Sequence, residues 1–262
     1  MRKIFCLLLL VFAICLQASG QSCSERPVSV RHYSIPSEAL HGELSFAVYV
    51  PPCMDERIIG GYPVVYLLHG QDMDISIWRE MKMENIIRET INTEGLPLFL
   101  TVVPQEDQYL LSPSLSSYEE AILNELIPWI DSHYPTCTDR ECRAIGGLSR
   151  GALWAEKIAF EHADLFSSLA MLSTPGAWID EQSLYFLAES HKPDNLLRIR
   201  LDTGSGDIYR NEAVKVSSTL TFIGYLYEFY IQTGEHDINY WQSRLADYFV
   251  WFSEGWKDLN LL

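Results

Sequence analysis

The amino-acid sequence predicts an α/β fold in which a mostly parallel sheet is covered by helices on both faces. Short apolar runs of strand character alternate with longer segments of helical spacing, as expected when helices connect parallel strands. No internal repeat and no linker rich in glycine, serine or proline divides the chain. With 48% apolar and 12% aromatic residues in 262 positions, the chain can bury one large core. We therefore expect a single domain over residues 21–262.

Each predicted strand is a short apolar run. The first run, 44–50, alternates with a period of two residues. In chain order, the predicted strands are 44–50, 64–68, 98–103, 144–147, 169–172, 196–201 and 225–231.

Each predicted helix is a longer segment whose apolar residues recur at three- and four-residue intervals. In chain order, the predicted helices are 78–91, 118–134, 150–162, 181–191, 208–222 and 238–252. The carboxyl ends of parallel strands meet at one edge of a sheet, so functional side chains are expected on the loops that follow the strands. These loops begin at His69, Pro104, Gly147, Ser173, Asp202 and Gln232.

The first twenty residues resemble a cleaved signal peptide. Arg2 and Lys3 precede an unbroken apolar run at 4–16, and the small residues Ala18 and Gly20 lie at −3 and −1 of a cut before Gln21. No later segment reaches the roughly 18 apolar residues of a membrane-spanning helix. We therefore expect residues 1–20 to be removed and the protein to be exported, to the periplasm or the outside of the cell.

The charge balance excludes a nucleic-acid partner. The chain carries 19 Lys and Arg against 35 Asp and Glu, a formal net charge of −16, and nucleic-acid binding requires basic patches. The sequence contains no G-x-x-x-x-G-K, G-x-G-x-x-G or H-E-x-x-H motif, so neither a cofactor nor a metal is expected.

Four cysteines remain after residue 20, and in an exported chain they predict two disulfides. Cys137 and Cys142 are close in sequence and are expected to pair, which leaves Cys23 with Cys53. A zinc site is the alternative, but the spacing lacks the usual two-residue gap and no histidine lies beside the cysteines.

A G-x-S-x-G pentapeptide at 147–151 provides the candidate nucleophile, Ser149. It lies between a short apolar run and an alanine-rich helix, where glycines two residues before and after the serine let strand and helix approach closely. A serine hydroxyl needs a base, and His236 stands in a turn between the last predicted strand and the last predicted helix. His162 and His191 end helices and are expected at the surface.

Two aspartates compete for the role of orienting His236. Asp207 lies on the loop after the penultimate predicted strand and can lean toward the histidine, although an N-cap is its ordinary alternative role. Asp202 lies at the strand end, where it is expected to accept backbone N–H bonds of the glycine turn. We favour Asp207 and keep Asp202 open.

An oxyanion hole needs two backbone donors, one directly after the nucleophile and one after an early strand. Arg150 and Gln71 occupy these positions, with Gly70 freeing the backbone of the second, while His69 is expected to be packed and hydrogen-bonded. Tyr109, in the polar loop 105–117, and Trp178, in the loop 173–178, are candidate substrate contacts at the rim.

The chain resembles the esterase D family of α/β-hydrolases, which includes S-formylglutathione hydrolase, feruloyl and acetyl-xylan esterases and the antigen 85 acyltransferases. The resemblance covers nearly all of the expected mature chain. It is carried by Val48-Tyr49-Val50-Pro51-Pro52, Leu67-Leu68-His69-Gly70 with Trp78 downstream, Glu125-Leu126-Ile127-Pro128-Trp129-Ile130, Arg143-Ala144-Ile145-Gly146-Gly147-Leu148-Ser149, and Gly234-Glu235-His236-Asp237 with Trp241 beyond.

The resemblance implies an α/β-hydrolase fold, a triad of Ser149, Asp207 and His236, and hydrolysis of acyl, feruloyl or acetyl esters of small molecules or carbohydrates. Acyl transfer to a sugar, as in the antigen 85 branch, and a non-catalytic binding protein on the same fold are the alternatives. The resemblance fixes neither the acyl group nor the oligomeric state.

Overall fold

One eight-stranded sheet organises the molecule. The computed structural model describes residues 26–54, 58–107, 111–191, 194–257 and 259. Its strands are β1 (Ser29–Ser37), β2 (Gly42–Val50), β3 (Val64–Leu68), β4 (Leu100–Pro104), β5 (Arg143–Leu148), β6 (Ser168–Leu172), β7 (Arg198–Gly204) and β8 (Tyr227–Gln232). They lie in the order β1-β2-β4-β3-β5-β6-β7-β8, with β2 antiparallel to β1 and β4 and the other neighbours parallel.

Helices connect the strands and cover both faces of the sheet, as predicted. They are α1 (Ser76–Glu80), α2 (Met83–Glu94), α3 (Tyr118–Ala121), α4 (Ile127–His133), α5 (Arg150–Glu161), α6 (Glu181–His191), α7 (Arg210–Phe222) and α8 (Ile238–Glu254). Strand β3 and helix α6 match their predicted bounds.

The core lies in two layers on either side of the sheet. Alternate residues of β3 point into different layers: Tyr66 packs in the layer that contains Trp154 of α5, and Val65 packs in the layer that contains Phe249 of α8. Because both faces of β3 are covered, every residue of that strand is buried. This explains why its sequence is apolar without alternation.

The predicted helix 78–91 is wrong in one respect, because the chain forms two helices there. Lys82 adopts a left-handed conformation, with φ 57° and ψ 36°, between α1 and α2. Met81 and Met83 on either side of it are fully buried. Residues two apart do not share one face of a helix, so the break lets both methionines enter the core.

The predicted helix 118–134 is continuous but contains a wide turn. Helices α3 and α4 are joined by a π-helical turn at Ile122–Leu126, directly before Pro128 in the first turn of α4. Proline has no N–H to donate to the preceding turn, and a wide turn accommodates that missing bond.

Strand β1 has no counterpart among the predicted strands. It forms an edge of the sheet and pairs along its whole length with β2 alone. Most of its side chains are partly or fully exposed, and Pro36 lies near its end. An edge strand with one neighbour needs few apolar residues, and for this reason the sequence of β1 contains no clear apolar run.

Disulfide pairing agrees with the prediction where the structure describes it. Cys137 and Cys142 are bonded, with their Cα atoms 5.8 Å apart. Cys53 is also disulfide-bonded. Its predicted partner Cys23, like the predicted signal peptide at 1–20, lies outside the described residues. Within the described ranges, no helix is both long and apolar enough to span a membrane.

Candidate active site

Ser149 occupies a sharp turn between β5 and α5. Its φ of 52° and ψ of −121° lie in a region that residues with a side chain rarely adopt. The turn is held because the Ser149 N–H donates to the Leu172 carbonyl of β6 (2.9 Å) and the Ser149 carbonyl accepts from the Ala152 N–H (2.9 Å). This turn places the serine side chain at the carboxyl edge of the sheet.

The glycines on either side of Ser149 are required by close packing. A Cβ atom at Gly147 would lie 2.3 Å from the Gly151 carbonyl, and one at Gly151 would lie 2.1 Å from the Leu68 carbonyl of β3. No side chain fits at either position, so the spacing of the pentapeptide follows from the contact between this turn, α5 and the end of β3.

His236 lies within hydrogen-bonding distance of Ser149. Its Nε2 is 3.0 Å from Ser149 Oγ, and its Nδ1 is 3.0 Å from both carboxylate oxygens of Asp207. Tyr209 and Trp241 pack against the imidazole in T-shaped arrangements, with ring centroids 4.9 Å and 5.1 Å away. With Nδ1–H donating to the carboxylate, Nε2 is free to accept the serine proton.

The Asp207 carboxylate is held ionised. Its side chain is fully buried, and Oδ1 also accepts the Tyr209 N–H (2.7 Å). Burial alone would raise the pKa of this carboxyl, but the hydrogen bonds from His236 and from the Tyr209 N–H outweigh burial and lower the pKa below its usual value. Asp207 therefore both orients His236 and closes the local turn before α7.

Asp202 contacts Tyr240 and Arg200. Its Oδ1 accepts a hydrogen bond from the Tyr240 hydroxyl, and its Oδ2 lies 3.8 Å from Arg200 Nη2. Burial raises the pKa of Asp202 to about 6. The expectation that Asp202 ties the glycine turn was wrong, because the β7 strand end directs this side chain toward α8. The structure brings Asp207, and not Asp202, to the histidine.

The two predicted oxyanion donors belong to neighbouring elements. Arg150 is the first residue of α5, and Gln71 follows β3, which pairs in parallel with β5 in a register that sets Leu68 opposite Gly147. The first N–H groups of a helix have no partner inside it, so the Arg150 N–H is available to a ligand. Their role as oxyanion donors remains a prediction.

His69 is a packed residue, as predicted. It is 1% exposed; its Nδ1–H donates to the Gly70 carbonyl (2.8 Å), and its Nε2 accepts the Glu106 N–H (2.8 Å). Burial lowers its pKa, so the imidazole is neutral at pH 7. His69 therefore fixes the turn that carries Gln71.

His191 corrects the expectation of a surface histidine. It is buried between the Phe160 carbonyl (2.9 Å from Nε2) and the Tyr225 hydroxyl (3.2 Å from Nδ1). A polar residue at the end of a helix does not predict burial from sequence. His191 is buried because α6 packs on α5. His162 is half-buried and lies 3.3 Å from Glu119.

Of the two predicted substrate contacts, one can be placed. Tyr109 lies outside the described residues. Trp178 is half-buried, with its ring centroid 4.6 Å from that of Trp154 and 4.9 Å from Arg150 Cζ. Trp178 thus contacts the residue that follows Ser149, and its contact with a substrate remains a prediction.

One cluster among the described residues has the donor set of a metal site. The side-chain ligand atoms of Glu119, Glu161 and His162 lie within 4.8 Å of one another. Lys157 Nζ, however, donates to Glu119 (2.6 Å) and to Glu161. Because the ammonium already supplies the positive charge, the cluster is an ion-pair network on α3 and α5.

Glu156 is a buried carboxyl that the sequence did not single out. It is 1% exposed on α5, beneath the loop after β6, and its Oε2 accepts the Trp178 N–H (3.1 Å). Burial raises the pKa of Glu156 to about 8. The group is therefore protonated at neutral pH, unlike a carboxyl in the unfolded chain.

We expect Glu156 to make the protein less stable as the pH rises. Between the unfolded pKa and about 8, the folded state binds a proton that the unfolded state does not, so the free energy of unfolding falls by up to about 1.4 kcal/mol per pH unit. Urea titrations measure the free energy of unfolding at pH 5 and at pH 8. Between these two pH values, this free energy should fall less in Glu156→Gln than in the wild type. Glu120→Gln, an exposed change on α3, is the control. Equal losses in all three proteins would contradict the assignment.

The sequence also matches a known protein family and known relatives. The sequence profile of the putative esterase family matches residues 37–252, a range that includes Ser149, Asp207 and His236. An endo-1,4-beta-xylanase/feruloyl esterase of Xylanibacter ruminicola is 26% identical over 128 residues. That alignment covers 46% of this chain and 18% of the length of the relative.

Solved structures confirm the predicted α/β-hydrolase fold. A ferulic acid esterase superposes with a TM-score of 0.76 at 21% identity, covering 87% of this chain and 98% of that one. The fluorophosphonate-binding serine hydrolase F of Staphylococcus aureus superposes with a TM-score of 0.74 at 18% identity, covering 87% of this chain and 99% of that one. With the family profile spanning most of the sequence, this chain belongs to the putative esterase family.

Proposed function

We propose that this protein is an exported serine esterase that hydrolyses carboxylic esters. The observation that carries the proposal is the hydrogen-bonded chain from Ser149 Oγ to His236 Nε2 and from His236 Nδ1 to Asp207, with 3.0 Å at each step. The basic, apolar and small-residue pattern of residues 1–20, together with the disulfides, supports export.

In the proposed mechanism, Ser149 Oγ attacks the ester carbonyl while His236 Nε2 takes its proton. The resulting oxyanion is stabilised by the Arg150 and Gln71 N–H groups. Protonated His236 gives the proton to the leaving alcohol, which leaves an acyl group on Ser149. His236 then removes a proton from water, which attacks the acyl group. The bond to Ser149 Oγ breaks as His236 returns that proton to the serine oxygen, and the acid is released. Asp207 keeps the proton on Nδ1 and stabilises the imidazolium.

The proposed substrates are acetyl, feruloyl or other acyl esters of small molecules or carbohydrates. The named relatives support this class, since a feruloyl esterase is among the sequence relatives and a ferulic acid esterase is among the structural ones. The loop that contains Tyr109 and the loop that contains Trp178 are the proposed selectivity elements.

Ester hydrolysis by the purified wild-type protein tests the proposal. We expect it to release p-nitrophenol from p-nitrophenyl acetate and free acid from methyl ferulate or an acetylated sugar. Adding a sugar acceptor to the same assay separates hydrolysis from transfer, because acylated acceptor would accumulate only if transfer competes with water. Absence of turnover on every ester, together with failure to react with a fluorophosphonate, would contradict the proposal and indicate a binding protein.

A further inference from the structure

A buried carboxylate lies between the two segments that carry the proposed oxyanion donors. Glu106 follows β4 and is 1% exposed. Its backbone N–H donates to His69 Nε2 (2.8 Å), and His69 Nδ1–H donates to the carbonyl of Gly70 (2.8 Å), the residue before Gln71. The main chain of Glu106 therefore holds the turn that carries one donor.

The side chain of Glu106 holds the other donor residue. Arg150 Nε lies 3.1 Å and 3.0 Å from the two Glu106 carboxylate oxygens, and Arg150 Nη2 lies 2.7 Å from Oε1. The Trp154 indole N–H, one turn along α5, donates to the same Oε1 (2.7 Å). The forked pairing of a guanidinium with a carboxylate fixes direction as well as distance.

Arg150 is restrained on further sides. Its Nη2 donates to the Leu111 carbonyl (2.8 Å), and its guanidinium lies over the ring of Trp178, with Cζ 4.9 Å from the ring centroid. The first residue of α5 is thus fixed by groups from the loops after β4 and β6. A buried ion pair contributes little net stability, because desolvation offsets the attraction. This ion pair lies next to Ser149, however, where it fixes the position of Arg150.

We propose that Glu106 is a positioning residue that sets the spacing between the Arg150 and Gln71 N–H groups. It acts on Arg150 through its carboxylate and on the turn before Gln71 through His69. This inference rests on the proposed ester hydrolysis. Oxyanion donors act at about 2.7–3.1 Å from the developing charge, so a small displacement weakens transition-state binding while ground-state binding is retained.

Glu106→Gln tests the proposal because it removes the charge and half of the forked pairing with little change in volume. We expect kcat for p-nitrophenyl acetate to fall about 10- to 100-fold with KM within about threefold of the wild type. Phenylboronic acid supplies a second readout, since Ser149 Oγ adds to boron and places a boronate oxygen in the oxyanion position. Its affinity should fall by about the same factor as kcat/KM.

A matched control exists at the other end of β5. Arg143, the first residue of that strand, pairs with Asp131 (3.0 Å) and is also buried. Asp131→Asn breaks a comparable ion pair far from Ser149. We expect it to lower thermal stability while kcat and boronate affinity stay within about twofold of the wild type.

The results separate this proposal from the proposed function. If the wild type hydrolyses the ester and Ser149→Ala does not, esterase function stands, and a folded Glu106→Gln variant with kcat within threefold of the wild type overturns the positioning role alone. A fall in kcat with unchanged boronate affinity also overturns it. Wild-type protein without esterase activity would remove both proposals.

If Glu106→Gln does not fold, a double variant tests the proposal instead. Glu106→Gln combined with Arg150→Met removes the uncompensated buried charge, which is the main cause of instability in the single variant. The same loss of kcat and boronate affinity is expected from the folded double variant, and wild-type values would overturn the proposal.

Discussion

Replacing Ser149 with alanine is expected to reduce ester hydrolysis by at least about 10³-fold, to near the background rate. Without the hydroxyl, no acyl group can form on the enzyme, and residual catalysis depends on the backbone donors alone. The change removes a single oxygen, so the fold should be retained. Turnover of p-nitrophenyl acetate, measured beside a circular dichroism spectrum, checks the expectation.

A second serine provides the control for this substitution. Ser205 lies exposed on the loop that carries Asp207. Ser205→Ala should keep turnover within about twofold of the wild type, because no step of the mechanism uses its hydroxyl. Wild-type turnover in Ser149→Ala would show that another group is the nucleophile.

Asp207→Asn is expected to lower turnover by about 10² to 10⁴ with little change in stability. The asparagine amide can donate to His236 Nδ1, which places the proton on Nε2 and prevents that atom from accepting the serine proton. The amide oxygen of the asparagine can still accept the Tyr209 N–H, so the local turn is preserved. Turnover and thermal melting of the purified variant measure the two effects separately.

Asp202→Asn is the matched control, since it makes the same chemical change at a buried aspartate nearby. Asparagine keeps an acceptor for the Tyr240 hydroxyl. We expect a stability loss of about 1 kcal/mol and turnover within about tenfold of the wild type. The reverse ranking, with Asp202→Asn inactive and Asp207→Asn nearly normal, would make Asp202 the orienting acid.

The parts of the site that depend on local sequence were predictable. Ser149 stands in a pentapeptide whose two glycines are required, because a Cβ atom at either position would lie 2.1–2.3 Å from a backbone carbonyl. The packing around the nucleophile therefore determines a pattern of five residues. Asp207 and His236 could be assigned because each follows a recognisable strand, and strand ends converge at one edge of the sheet. The geometry selected Asp207 over Asp202.

The parts that depend on tertiary contacts were not predictable. Glu106 is one acidic residue in a polar loop, and its contacts with Arg150 and His69 arise only from the tertiary fold. His191 and Glu156 occupy helix positions that read as ordinary polar residues, yet both are buried by neighbouring elements. In the same way, β1 is specified by its pairing with β2 more than by its own apolar pattern.

Covalent labelling measures most directly whether Ser149 is the nucleophile that His236 activates. Trypsin should release residues 144–150, Ala-Ile-Gly-Gly-Leu-Ser-Arg, a peptide in which Ser149 is the sole hydroxyl. After reaction with a fluorophosphonate, mass spectrometry should find one adduct per chain, located on this peptide. The labelling rate should fall at least about 100-fold in His236→Ala. An adduct on another peptide, no adduct, or equal labelling rates in the two proteins would contradict the assignment.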